Sequence, residues 1–281
     1  MQLTPDYGPE PLITLDGAPR DIALPAIRQR RRLAATLATL TDDQWAQPSR
    51  CAGWSNRDVV VHLDSTNSFW ALAISEGLRG APTQFLATFD PVASPAQMVS
   101  HAGDRTAKEV LASFSASASA LADLWASLGD DGWSAIAEAP PGHVSVSTVT
   151  HHALWDSWVH ERDILLPLGI APAEEADEIA ACLRYAAALG PALALNNGTA
   201  LRGLLGVAVS HPHVVATVEV AARVHVRCQS DGDTDADVTL TGGAVALLEA
   251  LSIRTRLEQP IPEEHRWMFT GLAEVFDVAQ P

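Results

Sequence analysis

Cysteine is scarce in this chain: Cys51, Cys182 and Cys228 are the only three in 281 residues. They lie far apart, leave an odd count and form no Cys-x-x-Cys pair, which excludes a disulfide framework and fits a reducing cytoplasm. Basic residues are also few. Eighteen Lys and Arg face 34 Asp and Glu, for a formal net charge of −16. A nucleic-acid binder needs a basic face to displace counterions, so this balance argues against a nucleic-acid partner. The one dense basic cluster, Arg28, Arg30, Arg31 and Arg32, is expected to be a solvated face of the first helix, with an anion-binding patch as the lesser alternative. No apolar run approaches the length of a bilayer span, and the N-terminus lacks the basic-then-apolar order of a secretory leader. A soluble cytoplasmic protein with no membrane partner is expected.

What is present is a core-forming composition, 47% apolar, enough for one large domain or two ordinary ones. Residues 1–20 carry Pro5, Pro9, Pro11 and Pro19 and read as an irregular arm. From Asp21 the pattern turns helical, with Leu33, Leu37 and Leu40 on one face before TDDQW ends the element. Ser55 followed by Asp58 predicts a capped second helix through His62 to about Ile74, and Gly77–Ser94 reads as loop. Val110, Phe114, Leu121, Trp125 and Leu128 mark a third helix over about 105–128. A loop around Pro140-Pro141-Gly142 precedes a fourth helix from about Ser147, which Pro167 and Gly169 help to end. A fifth is expected from Pro172 to Leu189. After Asn196-Asn197-Gly198 the period changes: HVVATVEV, ARVHVRC and DADVTLT favour strands, while GGAVALLEALSIR and EEHRWMFTGLAEVF read as helices. The fold expected is therefore mainly α, a helical bundle over 21–197 followed by a small α+β unit over 198–281.

Chemistry is suggested by LWDSWVHERDIL, residues 154–165. Asp156, His160 and Asp163, spaced by four and three, share one face of a helix. His62 lies within apolar DVVVHL on a helix expected to face the bundle core. Such a histidine is commonly a hydrogen-bonded core residue. Together, however, His62, Asp156 and His160 would give a divalent cation three ligands and leave a fourth position open, as in catalytic zinc sites. His152 is a rival ligand on the same stripe. Asp163 would orient a ligating ring, or else be an exposed carboxylate paired with a cation such as Arg162.

Read together, CAGWSNRDVVVHL (residues 51–63) and LWDSWVHERDILLPLG resemble the mycothiol-dependent maleylpyruvate isomerase family of actinobacteria. Its motifs are a Cys-Pro-Gly-Trp turn leading into a helix that ends His-Leu, and a later Glu-x-x-x-His-x-x-Asp. The tail segment DADVTLTGGAVALLEALSIR is similar to that family's C-terminal region. The resemblance implies a DinB-like four-helix bundle followed by a sterol-carrier-like domain. It implies metal ligation by His62 and His160, with Asp156 where the family has Glu; being one methylene shorter, Asp156 needs a closer helix approach. It also implies a catalytic role for Arg254, which would grip a substrate carboxylate, although Ile253 stands where the family has Gly and Ala52 where it has Pro. The implied cofactors are zinc, or another divalent metal, and mycothiol. The implied partner is a small electrophile, attacked in an isomerase or an S-transferase reaction. Two other functions remain open at this point: a non-catalytic ligand-binding protein with a vestigial metal site, and a thiol-independent metal hydrolase using Asp163 as base.

Overall fold

Local signals fix most of the helical half. The computed structural model describes residues 3–229 and 235–277, so residues 1–2, 230–234 and 278–281 of the expected arm and α+β unit lie outside the described residues. The first strand, β1 (Ile13–Leu15), is followed by α1 (Ala23–Leu37) and a short α2 (Asp42–Ala46). Within TDDQW, Thr41 and Gln44 form a reciprocal capping box, so this motif starts a helix rather than ending α1, which has already closed at Leu37. Ser55 and Asp58 cap α3 (Asn56–Leu78) in the same way. Next come α4 (Ala93–His101), α5 (Ala107–Ser127) and α6 (Asp130–Ser134). The expected loop at Pro140-Pro141-Gly142 is instead the turn of a hairpin, β2 (Ile136–Ala139) and β3 (Gly142–Ser145). Gly142 has φ +124°, and a Cβ there would meet the Asp6 carbonyl at 2.0 Å. Ser145 then caps α7 (Val146–Leu165), the central helix, and α8 (Ala176–Asn196) follows. Helices α1, α3, α5 and α7 pack on one another and bury Leu33, Leu37, Phe114, Trp125 and Trp158.

The remainder is a mixed sheet with two helices. Strands β4 (Gly203–Ser210), β5 (His213–Val220), β6 (Val224–Cys228) and β7 (Val238–Gly242) assemble in the order β1-β6-β5-β4-β7, and α9 (Ala244–Leu251) and α10 (Trp267–Phe276) follow. The arm is therefore not wholly irregular: Ile13, Thr14 and Leu15 pair in parallel with Val224, His225 and Val226 of the last third of the chain. An otherwise open sheet edge is covered in this way.

Helix α8 differs from expectation in two ways. It begins at Ala176 and continues past Leu189 through Gly190-Pro191. It is also long and apolar enough, by length and composition, to cross a membrane, contrary to the sequence reading; 83% of that stretch is buried within the protein. Gly190 and Gly271 let α8 and α10 cross closely, since a Cβ on Gly271 would meet the Gly190 carbonyl at 2.2 Å. Gly271→Ala is expected to lower stability by about 1–3 kcal/mol, read from urea denaturation midpoints, because backbone rather than a flexible side chain must give way.

The Arg28–Arg32 cluster is a further correction. Only Arg31 is fully exposed. Arg28 and Arg32 turn toward α8 and α7, where Arg28 Nε donates to Glu178 at 2.9 Å and Arg32 donates to Glu178 at 2.7 Å and to Glu161 at 2.9 Å. Arg30 is 2% exposed and lies over the Trp125 ring. The basic cluster is an inward-facing seam joining α1 to its neighbours.

Candidate metal and thiol site

Helices α3 and α7 bring His62, Asp156 and His160 together although the first is nearly a hundred residues from the others. Asp156 and His160 project from successive turns of α7, and His62 enters from the facing helix. Asp156 Oδ1 lies 3.8 Å from His62 Nε2 and 3.5 Å from His160 Nε2. The two imidazoles meet edge to face, with centroids 5.0 Å apart. Ligands about 2.1 Å from a tetrahedral cation sit about 3.4 Å from one another; the separations from Asp156 come close to that value, and all three donors lie within 4.8 Å of one another. The shorter Asp156 side chain reaches both rings. The three side chains are 14%, 15% and 11% exposed, leaving one flank of the set accessible.

Behind this set lies a second layer. His160 Nδ1 is 3.0 Å from Asp163 Oδ2 and donates to it, which fixes Nε2 as the nitrogen facing Asp156. Asp163 is fully buried rather than an exposed carboxylate, and Arg162, its alternative partner, donates to Glu249 instead at 2.7 Å. Arg254 joins Asp163 from the last third of the chain: Nε donates at 3.0 and 3.1 Å and Nη2 at 2.8 Å. Burial opposes ionisation of Asp163, but His160 and Arg254 outweigh it and hold the carboxyl well below its usual range. At His160, burial likewise disfavours the charge, while Cys51, Asp163 and Asp156 together raise it to about 10. A cation at Nε2 must therefore displace a firmly held proton.

A local motif aims Arg254. After α9 the amide of Ile253 donates to Ala250 O and that of Arg254 to Glu249 O, the paired closure of a left-handed helix C-terminus. Ile253 has φ +55°, the conformation that glycine adopts freely and a β-branched residue only under strain. The chain thus keeps a glycine-type turn without the glycine. Its guanidinium is committed to Asp163 rather than directed freely at a ligand.

Sequence reasoning did not foresee Cys51 as a neighbour of the set. Its Sγ is 3.6 Å from His160 Nδ1, 3.3 Å from Asp163 Oδ2 and 4.0 Å from Arg254. Arg50 and Glu249 were missed as well. Arg50 Nε lies 3.4 Å from Asp163, while its Nη1 donates to Glu249 at 3.2 Å, bolting the loop before α3 to α9. The CAGW turn was the available signal, but nothing local shows which distant groups it touches. His152, the rival ligand, stays outside the set; its Nδ1 is 2.7 Å from Tyr185 Oη.

Burial lowers both His151 and His152 to about 4. Between pH 6.5 and 4 the unfolded chain then binds more protons than the folded one, so this stability is present at neutral pH and is lost on acidification. Each histidine is expected to cost roughly 2 kcal/mol on going from pH 7 to pH 5, measured by urea unfolding at the two pH values. His151→Gln should remove about half of the combined drop, and an unchanged drop would contradict the burial of His151.

Residues 27–165 match the family model described as the mycothiol maleylpyruvate isomerase N-terminal domain. Two solved structures share the fold over 87% of this chain and 95% of theirs, each with a TM-score of 0.61. They are the mycothiol-dependent maleylpyruvate isomerase, at 15% identity, and a histidine-to-alanine mutant of that enzyme, at 14%. No curated protein matches. Through its helical half, this chain belongs to the mycothiol maleylpyruvate isomerase N-terminal domain family.

Proposed function

We propose that the protein is a divalent-metal-dependent enzyme that uses mycothiol to attack an electrophilic small molecule, as an isomerase or an S-transferase. The observation that carries this reading is the convergence of His62, Asp156 and His160, their donor atoms within 4.8 Å of one another, with His160 oriented by Asp163. In this reading residues 21–197 form a DinB-like metal-binding bundle. Residues 198–281 form a sterol-carrier-like domain whose Arg254 completes the site from behind.

His62, Asp156 and His160 would hold zinc or another divalent cation. A bound cation supplies the positive charge that keeps a thiol ionised near neutral pH. Asp163 keeps the proton on His160 Nδ1, and Arg254 balances the charge of Asp163. A substrate carboxylate arriving near Asp163 would meet a guanidinium fork suited to it, in competition with that residue. Thiolate addition to an activated double bond, rotation and expulsion of the thiol constitute isomerisation; if the thiol stays attached, the reaction is a transfer. The hydrolase reading needs Asp163 to face water, and its complete burial under Arg254 disfavours that role.

A direct test follows bromobimane alkylation with and without mycothiol. Enzyme-accelerated turnover is expected only with the thiol, and it should be abolished by chelation and restored by zinc. Turnover unaffected by omitting the thiol would overturn the thiol role.

A further inference from the structure

Cys51 completes a second set of ligand-type atoms on the other side of the His160 ring. Its Sγ is 3.6 Å from His160 Nδ1 and 3.3 Å from Asp163 Oδ2, and those two atoms are 3.0 Å apart. Sulfur, nitrogen and oxygen thus form a donor set as compact as that of His62, Asp156 and His160. Around a tetrahedral cation bonded at about 2.3 Å to sulfur and about 2.1 Å to nitrogen and oxygen, such donors sit about 3.4–3.6 Å apart. The separations from Cys51 come close to that spacing, and the His160–Asp163 contact must open by about 0.4 Å.

The two sets share one imidazole through opposite nitrogens. Nε2 faces Asp156 Oδ1 at 3.5 Å, and Nδ1 faces Asp163 Oδ2 at 3.0 Å. A neutral imidazole offers one lone pair and one N–H. A cation on Nε2 leaves the proton on Nδ1, where Asp163 accepts it. A cation on Nδ1 leaves the proton on Nε2, facing Asp156. Each aspartate is therefore a ligand in one state and the partner of the remaining proton in the other. Filling both sets at once would require stripping the ring of its second proton as well.

Sulfur gives the inner set its preference, since thiolate selects soft cations. One thiolate and one carboxylate also neutralise a divalent ion. Arg254 competes for the same space: its Nη2 is 2.8 Å from Asp163 Oδ2 and 4.0 Å from Cys51 Sγ. The guanidinium must give up Oδ2, while its Nε can keep Oδ1, 3.0 Å away. Zinc avoids that cost at the outer set. A softer ion offsets it through a stronger bond to sulfur.

We propose that Cys51, His160 and Asp163 form a site for a thiophilic divalent cation, and that filling it expels zinc from His62, Asp156 and His160. As the soft cation binds, Cys51 and Nδ1 each give a proton to solvent. Zinc leaves and Nε2 takes one proton up, for a net release of one. The inner site stands on its own geometry; the expulsion of zinc rests on the metal-enzyme reading.

Cadmium is the probe, in a Cys228→Ser background that removes the exposed thiol; Cys182 is fully buried. Added to metal-free protein, cadmium is expected to bind once per chain and to produce the ultraviolet thiolate-to-cadmium charge-transfer band. Added to zinc-loaded protein, one equivalent should release one zinc, read with a chromophoric zinc indicator. Cys51→Ser should abolish the band. Cadmium NMR, whose shift separates sulfur-ligated ions from those held by nitrogen and oxygen, reports the same ligation with Cys51 intact and covers the case in which Cys51→Ser does not fold. Binding without the band, or a band that survives Cys51→Ser, would overturn the inner site. A band that develops while zinc stays bound would overturn the expulsion. A chain that holds no zinc would overturn the parent reading and the expulsion together, while the metal-free titration still reports the inner site.

Discussion

Asp163→Ala is expected to cost about 3–5 kcal/mol of stability, the largest loss of any single substitution in the site. The carboxylate is fully buried and serves four partners: Arg254 through three contacts, His160 Nδ1, the Cys51 thiol and, at 3.4 Å, Arg50. Its removal leaves Arg254 without its hydrogen-bonded counter-charge in a partly desolvated setting, with only the more distant influence of Glu249 remaining. Glu249 can still take Arg50, so the damage concentrates on Arg254 and His160. Asp163→Asn keeps the volume and removes the charge, and should therefore lose less packing but nearly as much electrostatic stabilisation. In Asp163→Ala His160 loses the acceptor that fixes its ring, and metal affinity is expected to fall about 10–100-fold; Asp163→Asn keeps a neutral amide oxygen as acceptor and should lose less. Urea denaturation and competitive chelation measure the two effects. A loss below 1 kcal/mol in Asp163→Ala would show that the carboxylate does not join the two halves of the site.

Arg30→Ala is the second large effect, also about 3–5 kcal/mol. A residue on a solvated helix face would cost less than about 0.5 kcal/mol. Arg30 instead donates to Asn67 Oδ1 at 2.9 Å and to the Ala153 carbonyl at 2.9 Å, and stacks 5.1 Å from the centroid of the Trp125 ring. Burial lowers it to about 10, and it remains charged at neutral pH, with Asp156 as a favourable charge nearby. Truncation would strand two buried acceptors and open a cavity between α1, α3, α5 and α7. Arg30→Met fills much of that space and should retain part of the loss, which separates the packing contribution from the polar one. Urea midpoints for the two variants decide the matter, and a near-neutral Arg30→Ala would contradict the inward placement.

These two residues also mark the limits of what the sequence disclosed. The Ser55–Asp58 box and the four-and-three spacing on α7 depend only on nearby residues, so the helices carrying His62, Asp156 and His160 could be read directly. Four arginines in five positions look solvated by composition, because the glutamates that receive Arg28 and Arg32 lie more than 120 positions away. Strand β4 was not foreseen for a related reason. It lies between β5 and β7, and its run GLLGVAVS lacks the alternation that revealed β6. Arg254 reaches Asp163 across 91 positions, and its turn is built with an isoleucine where glycine is the usual signal. The contact of Cys51 with His160 and Asp163 is equally non-local.

Metal stoichiometry probes the central claim most directly: elemental analysis of chelator-stripped protein, reloaded with zinc and desalted, for the wild type and for His62→Ala, Asp156→Ala and His160→Ala. One zinc per wild-type chain is expected, with occupancy lost in each variant while circular dichroism stays native. A wild type that retains no metal, or variants that retain it fully, would contradict the account.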